Sequence, residues 1–183
     1  MGAILVSNLT ANLNGAYGAW LDNTSATITP QPITLSGTNQ ANANSQEGAV
    51  VRSKGVITIN NLTARWNGND GLEASNSGAA VPTPIYLTGI NVFVGNGGDG
   101  ARLQSIGDVI AYRVTADDNA SDGLDIVGSA VTIACGSLNG NASYGVAVFS
   151  FSGSITLKGV FTAANGTGAE SLSHVPTRVR TCP

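Results

Sequence analysis

The chain has 183 residues, a formal net charge of −3 and only 10% charged residues, while 42% are apolar and 24 are glycine. That apolar share excludes a disordered segment, and the scattered basic residues (Arg52, Lys54, Arg65, Arg102, Arg113, Lys158, Arg178 and Arg180) leave no basic stripe to neutralise nucleic-acid phosphates. No apolar run approaches the length of a membrane span, and the chain's start lacks the basic residues and unbroken apolar core of a signal peptide.

Ile4 and Val6 open the chain with the period of two that marks a strand with one buried face. The pair recurs as Ile33/Leu35, Ile57/Ile59, Ile85/Leu87, Val109/Ala111, Val131/Ile133 and Ile155/Leu157. After each comes a corner in which Asn stands four residues before Gly: Asn14/Gly18, Asn44/Gly48, Asn67/Gly71, Asn96/Gly100, Asn119/Gly123 and Asn141/Gly145, with Asn165/Gly168 one residue shorter. Beyond each corner lies a second alternating pair: Ala19/Leu21, Ala49/Val51, Leu72/Ala74, Ala101/Leu103, Leu124/Ile126, Val146/Val148 and Ala169/Ser171. The residues inside those pairs (Trp20, Val50, Glu73, Arg102, Asp125, Ala147, Glu170) read as a solvent face. A third pair, Leu9/Ala11, Leu62/Ala64 and Val114/Ala116, is weaker in the even copies.

Removing two insertions at one corner, Thr29–Pro32 and Val81–Pro84, leaves a repeat of about 22–23 residues. Odd copies carry Asn-Leu-Thr-Ala (Asn8–Ala11, Asn61–Ala64, with Arg113–Ala116 as a variant), and even copies carry Pro-Ile-x-Leu-x-Gly (Pro32–Gly37, Pro84–Gly89). The unit of duplication is therefore two copies. The pattern stops near Leu172, dividing the chain into a solenoid over 1–172 and a non-repeat tail over 173–183. Three parallel strands per turn, in about seven rungs with an Asn ladder at one corner, make an all-β, single-stranded parallel β-helix.

The Asn-Gly-x-Asp-Gly-Leu corner at Asn67–Leu72 and the Ile-Thr-Leu and Ile-Thr-Ile strands at 33–35 and 57–59 carry a resemblance. The rungs resemble the right-handed parallel β-helix repeats of the pectin-lyase-like superfamily, most of all the degenerate repeat tracts of bacterial secreted and cell-surface proteins. Right-handedness follows from that resemblance and from the general crossover preference. The resemblance implies an extracellular or cell-surface location, and no single activity, because the fold hosts lyases, hydrolases, adhesins and spacers.

Stacked one rung apart, Asn14, Asn44, Asn67, Asn96, Asn119, Asn141 and Asn165 can chain their amides along the corner, which makes the sequons at Asn119, Asn141 and Asn165 unavailable for glycosylation. Beside them run Glu47, Asp70, Asp99 and Asp122, flanked by Tyr17 and Tyr144. Like charges one rung apart repel, so these carboxylates are expected to splay into water, or a cation such as Ca²⁺ to bridge them. No cofactor is otherwise expected.

Relatives of the polygalacturonase kind combine aspartates with Gly-His-Gly and Arg-x-Lys. Here only Asp117-Asp118 matches, and the single histidine, His174, lies in the tail. Paired carboxylates alone support glycoside hydrolysis, so Asp117, Asp118 and Asp125 are the fallback catalytic candidates. With no His base in the solenoid, a Ser-His triad is excluded. The first expectation is a non-catalytic structural or adhesive solenoid. The alternative is a carbohydrate-binding or polysaccharide-degrading β-helix with Trp20 or Trp66 as a stacking platform. A minor alternative is ice binding through Thr34, Thr58, Thr132 and Thr156, a row interrupted by Leu5, Tyr86 and Ile110.

Cys135 and Cys182 either form a disulfide that pins the tail or stand as independent thiols. The open strand edges of the first rung are expected to bind another copy, head to tail or by two-fold pairing, or further rungs of a longer parent. Pro176, Arg178, Arg180 and Pro183 discourage strand addition at the far end.

Overall fold

The computed structural model describes residues 2–26 and 29–182; Met1, Thr27 and Ile28 in the first insertion, and Pro183 lie outside them. The regular elements among the described residues are all strands. In chain order, β1 (Ile4–Ser7) and β2 (Ala19–Asp22) belong to the first turn, and β3 (Ile33–Ser36), β4 (Asn39–Gln40) and β5 (Ala49–Arg52) to the second. The next turns contain β6 (Ile57–Asn60), β7 (Leu62–Arg65) and β8 (Leu72–Ser75), then β9 (Ile85–Thr88), β10 (Asn91–Val94) and β11 (Ala101–Gln104), then β12 (Val109–Tyr112) and β13 (Val114–Asp117). β14 (Leu124–Asn139) and β15 (Tyr144–Ala163) run continuously around bends, and β16 (Gly168–Leu172) and β17 (Thr177–Val179) follow.

Each strand pairs in parallel with its counterpart one turn later, so three sheets run the length of the molecule. The first stacks β1, β3, β6, β9, β12, and residues 131–134 and 155–158. The second begins at the bridge Thr10–Gln40 and continues through β4, β7, β10 and β13 to residues 136–139 and 160–163. The third stacks β2, β5, β8, β11, residues 124–128 and 146–150, and β16. Seven Asn levels separated by six intervals give a solenoid of about six turns, one fewer than the rung count read from the repeats.

The core is a narrow column of Ile, Leu, Val and Ala supplied by the alternating pairs. Ile33, Leu35, Ile57, Ile59, Leu72, Ile85, Leu87, Leu103, Leu124 and Ile126 are fully buried. Each such side chain contributes about 1.5–3 kcal/mol by leaving water. Ile4, Val6, Leu9 and Leu21, at the open first turn, are only partly covered.

Two columns of left-handed backbone bend each turn. Between the first and second sheets stand Asn8, Gly37, Asn61, Gly89, Arg113, Cys135 and Gly159, with φ between 49° and 71°. The two-copy rhythm has its physical cause here, because Asn and Gly are the residues that tolerate this conformation most readily. They also stack in pairs: the Oδ1 of Asn8 accepts the N–H of Thr38, just past Gly37, and the Oδ1 of Asn61 accepts that of Ile90, just past Gly89. The other column, one residue before each ladder Asn, holds Leu13, Ala43, Trp66, Gly95, Asp118, Gly140 and Ala164.

Three features depart from the sequence reading. In even turns the inward place opposite Leu62 belongs to Asn39, fully buried, whose Nδ2 donates to the carbonyls of Ser36 and Asn60; Asn91 has the same role two turns on. In the last turn Val146 pairs with Glu170 and Val148 with Leu172. The shortened Asn165–Gly168 corner shifts the strand by one residue and exchanges its faces, so Glu170 and Leu172 are half-buried while Ala169 and Ser171, expected inside, are exposed. Finally, the segment after Leu172 adds a strand: β17 pairs with Thr156–Lys158 of the first sheet. Arg178 on β17 forms a two-pronged ion pair with Glu170, and Cys182 is bonded to Cys135 with Cα atoms 5.2 Å apart.

Candidate functional site

The corner between the second and third sheets is built on the Asn ladder, and all seven Asn residues take part. At each step the Oδ1 of one Asn accepts both the backbone N–H and an Nδ2–H of the Asn one turn earlier, at 2.9–3.1 Å. The remaining Nδ2–H donates to a carbonyl of the preceding turn, as from Asn96 to Ala64 at 3.2 Å and from Asn119 to Phe93 at 3.1 Å. Interior amides are thereby saturated, as buried polar groups must be. The corner glycine follows from the same contact: a Cβ on Gly100 would lie 2.4 Å from the Gly123 carbonyl oxygen and 2.8 Å from Asn119 Nδ2.

The acidic column lies beside this ladder and is a second one, a departure from the splayed carboxylates expected. Asp70 Oδ1 accepts the N–H of Asp99 at 2.8 Å, Asp99 Oδ1 that of Asp122 at 2.9 Å, and Asp122 Oδ1 that of Tyr144 at 2.8 Å. Glu47 accepts the side-chain amide of Asn69 at 2.6 Å. Glu47, Asp70 and Asp99 are buried. Arg102 lies among these carboxylates and reaches Asp70 Oδ2 at 2.9 Å, Asp99 Oδ2 at 3.3 Å and Asp125 Oδ2 at 3.9 Å. The contact to Asp70 Oδ2 is an ion pair without hydrogen-bond alignment, since that buried oxygen accepts no hydrogen bond.

Burial pushes the Asp70 carboxyl up from 3.8 to about 6, against the pull of the Asp99 N–H and Arg102. Asp122 and Asp125 are raised as well, burial first and then the charge of Asp99. For Arg102, burial works downward, but Asp70 and Asp99 outweigh it and the guanidinium is held more firmly charged than usual.

From this corner a charged and aromatic row extends over the outer face of the third sheet. Trp20, Val50, Glu73, Arg102 and Asp125 are successive partners across the strands, with Arg52 in the neighbouring row; Val50, expected on the solvent face, is fully buried. Tyr17 meets Trp20 edge-on at 4.8 Å, the Arg52 guanidinium sits 4.7 Å above the Trp20 ring, and Arg52 pairs with Glu73 at 2.7 Å. Trp20 remains 45% exposed. The arrangement offers an aromatic platform with donors and acceptors beside it, the chemistry that grips a polyhydroxylated ring.

The fallback catalytic aspartates lie on different elements. Asp117 is on the second sheet, where its Oδ1 accepts the N–H of Asn139 at 2.7 Å and the Ser137 hydroxyl at 3.3 Å. Asp118 is exposed in the left-handed column above Gly140. Asp125 is across the corner, beside Arg102. Trp66, 64% exposed, lies over Gly95 at the corner. Sequence reasoning missed Arg102 and Arg52 as members of the site. The signal available was their outward position in strands whose neighbours in the stack carry Glu73 and Asp125.

No family model matches the chain, and no curated protein matches it. Among solved structures, it is similar to the A-module of the mannuronan C-5 epimerase AlgE4 of Azotobacter vinelandii, with a TM-score of 0.70 and 18% identity. The match covers 96% of this chain and 55% of that one, so the chain spans about half the length of its structural neighbour. No helix among the described residues is long and apolar enough to cross a membrane. Sequence pattern, strand register and structural likeness together show a right-handed parallel β-helix of the pectin-lyase-like fold, closed along one corner by an Asn ladder.

Proposed function

We propose that the chain binds a polysaccharide along the outer face of its third sheet, with Trp20 as the stacking platform and Arg52, Glu73, Arg102 and Asp125 as hydrogen-bonding partners. The observation that carries this reading is the Trp20–Arg52–Glu73 group: an exposed ring held by an edge-on tyrosine and a guanidinium, continuous with the Arg102 cluster. The mannuronan-acting enzyme among solved structures supports a carbohydrate ligand as fold-level analogy.

A binding role without turnover, on a structural or adhesive solenoid of a secreted or surface protein, is supported by the use of the carboxylates. Asp70, Asp99, Asp117 and Asp122 each spend an oxygen on a backbone N–H of the next turn. Tryptophan fluorescence titrations with neutral and acidic oligosaccharides test the site. The expected response survives Trp66→Phe and disappears in Trp20→Phe. A response that follows Trp66 instead places binding at the corner and overturns this assignment. Release of new ends or unsaturated sugars, lost in Asp125→Asn, would make the chain an enzyme.

A further inference from the structure

Given a polysaccharide on the outer face of the third sheet, as proposed above, we infer that its sugars are uncharged or amino-bearing and that the face rejects polyuronates. Three carboxylates stand on the face itself: Asp22 in the row of Arg52, and Glu73 and Asp125 in the row of Trp20. Four more, Glu47, Asp70, Asp99 and Asp122, run along the corner that borders it. The positive charges among them are Arg52 and Arg102, so the face carries seven negative charges against two, a net of −5. The whole chain stands at −3, which leaves the remainder at +2. Of the other six cations, Lys54 lies at the next corner beyond β5, Arg65, Arg113 and Lys158 on or beside the other two sheets, and Arg178 and Arg180 in the tail.

Both guanidiniums on the face are already committed. Arg52 Nε and Nη2 donate to Glu73 Oε1 at 3.0 and 2.7 Å, and Arg102 meets Asp70, Asp99 and Asp125 at 2.9, 3.3 and 3.9 Å. Asp70 and Asp99 are buried. A ligand carboxylate that drew Arg102 away would leave those two without a counter-charge, the costly way to break a buried pair. Drawing Arg52 away would set the released Glu73 against the same carboxylate. The negative groups also act on one another. Burial raises Asp122 and Asp125 first, and after it the charge of Asp99 raises Asp122, while Asp99 and Asp122 together raise Asp125. The local potential therefore already opposes one more negative charge.

A polyuronate carries a carboxylate on every ring, so laying it along this row sets like charges side by side, the arrangement that excludes a wrong partner. A sugar hydroxyl both donates and accepts. An uncharged ring can therefore bond a guanidinium N–H and a carboxylate oxygen with both ion pairs intact and its apolar face on Trp20. A protonated amine on the ring gains in addition from Asp122 and Asp125, both partly exposed.

Biolayer interferometry at neutral pH on immobilised polygalacturonate, hydroxyethyl cellulose, galactomannan and glycol chitosan tests this. The native chain is expected to bind at least one of the last three, with the signal lost in Trp20→Ala, and to bind polygalacturonate about tenfold more weakly or not at all. Glu73→Gln combined with Asp125→Asn releases Arg52 and removes two negative charges. This variant is expected to bind polygalacturonate about fivefold more tightly than the native chain, a gain that added salt screens away. Circular dichroism checks its fold, and Glu73→Gln alone, expected to move in the same direction, is read if the double variant is unfolded. Trp20-dependent binding to polygalacturonate that matches or exceeds binding to the other three surfaces overturns the ligand class and leaves the binding face standing. A folded variant that gains nothing on polygalacturonate does the same. A native chain that binds none of the four surfaces overturns the polysaccharide-binding reading, and the ligand class with it.

Discussion

At Asn96 four hydrogen bonds converge on one amide: two accepted from Asn67, one donated to Ala64 and one donated to Asn119, while its own N–H also goes to Asn119. Truncation strands buried partners on the turns before and after, so Asn96→Ala is expected to cost about 1–3 kcal/mol in chemical unfolding. Asn69→Ala loses one bond to Glu47 at an exposed position and is expected to cost below about 1 kcal/mol. Equal losses would contradict the ladder as the source of corner stability. Asp70 makes a second residue-scale prediction. Its folded pKa of about 6 lies above the ordinary 3.8, so the folded state holds the proton more tightly than the unfolded one. Stability is therefore favoured below about pH 4 and is lost as pH rises toward 6, by up to about 3 kcal/mol; Asp122 and Asp125 act in the same direction. Melting temperatures are expected to fall between pH 4.5 and 7, at about several degrees in total, and to fall less in Asp70→Asn. An unchanged slope in that variant would assign the pH dependence elsewhere.

Elements differ in how firmly they are held, and the tail strand is the clearest case. β9–β13 are flanked by neighbours on both sides and line a fully buried core, whereas β17 has one neighbour and three exposed residues. Reduction of Cys135–Cys182 is expected to make the amides of 177–179 exchange at nearly the free rate while those of β9–β13 stay protected; loss of protection in both would mean the disulfide stabilises the whole solenoid. Elements also mark the limit of what the sequence reveals. Ile57/Ile59 and the Asn-x-x-x-Gly corner announce strands, register and ladder, because period and spacing are properties of the chain itself. The burial of Asp70 was hidden, since its partners, the Asp99 N–H and Arg102, come from the next turn. The inward place of Asn39 left no apolar signal in the sequence, because it depends on two carbonyls, one of them in the following turn. Glu170 turned inward through a one-residue difference that looked like a harmless shortening.

On the scale of the whole molecule, a rigid stack presents one outer face as a straight row of side chains. The third sheet places Trp20, Glu73, Arg102 and Asp125 on such a row, with Arg52 in the row beside it, and an extended polysaccharide matches that shape better than a compact ligand. Affinity electrophoresis through gels containing neutral and acidic polysaccharides measures this directly. At least one polysaccharide is expected to retard the native chain, and Trp20→Ala to migrate freely in the same gel with its melting temperature unchanged. Equal retardation of both proteins, or no retardation of the native chain by any polysaccharide, would contradict the third sheet as a polysaccharide-binding face.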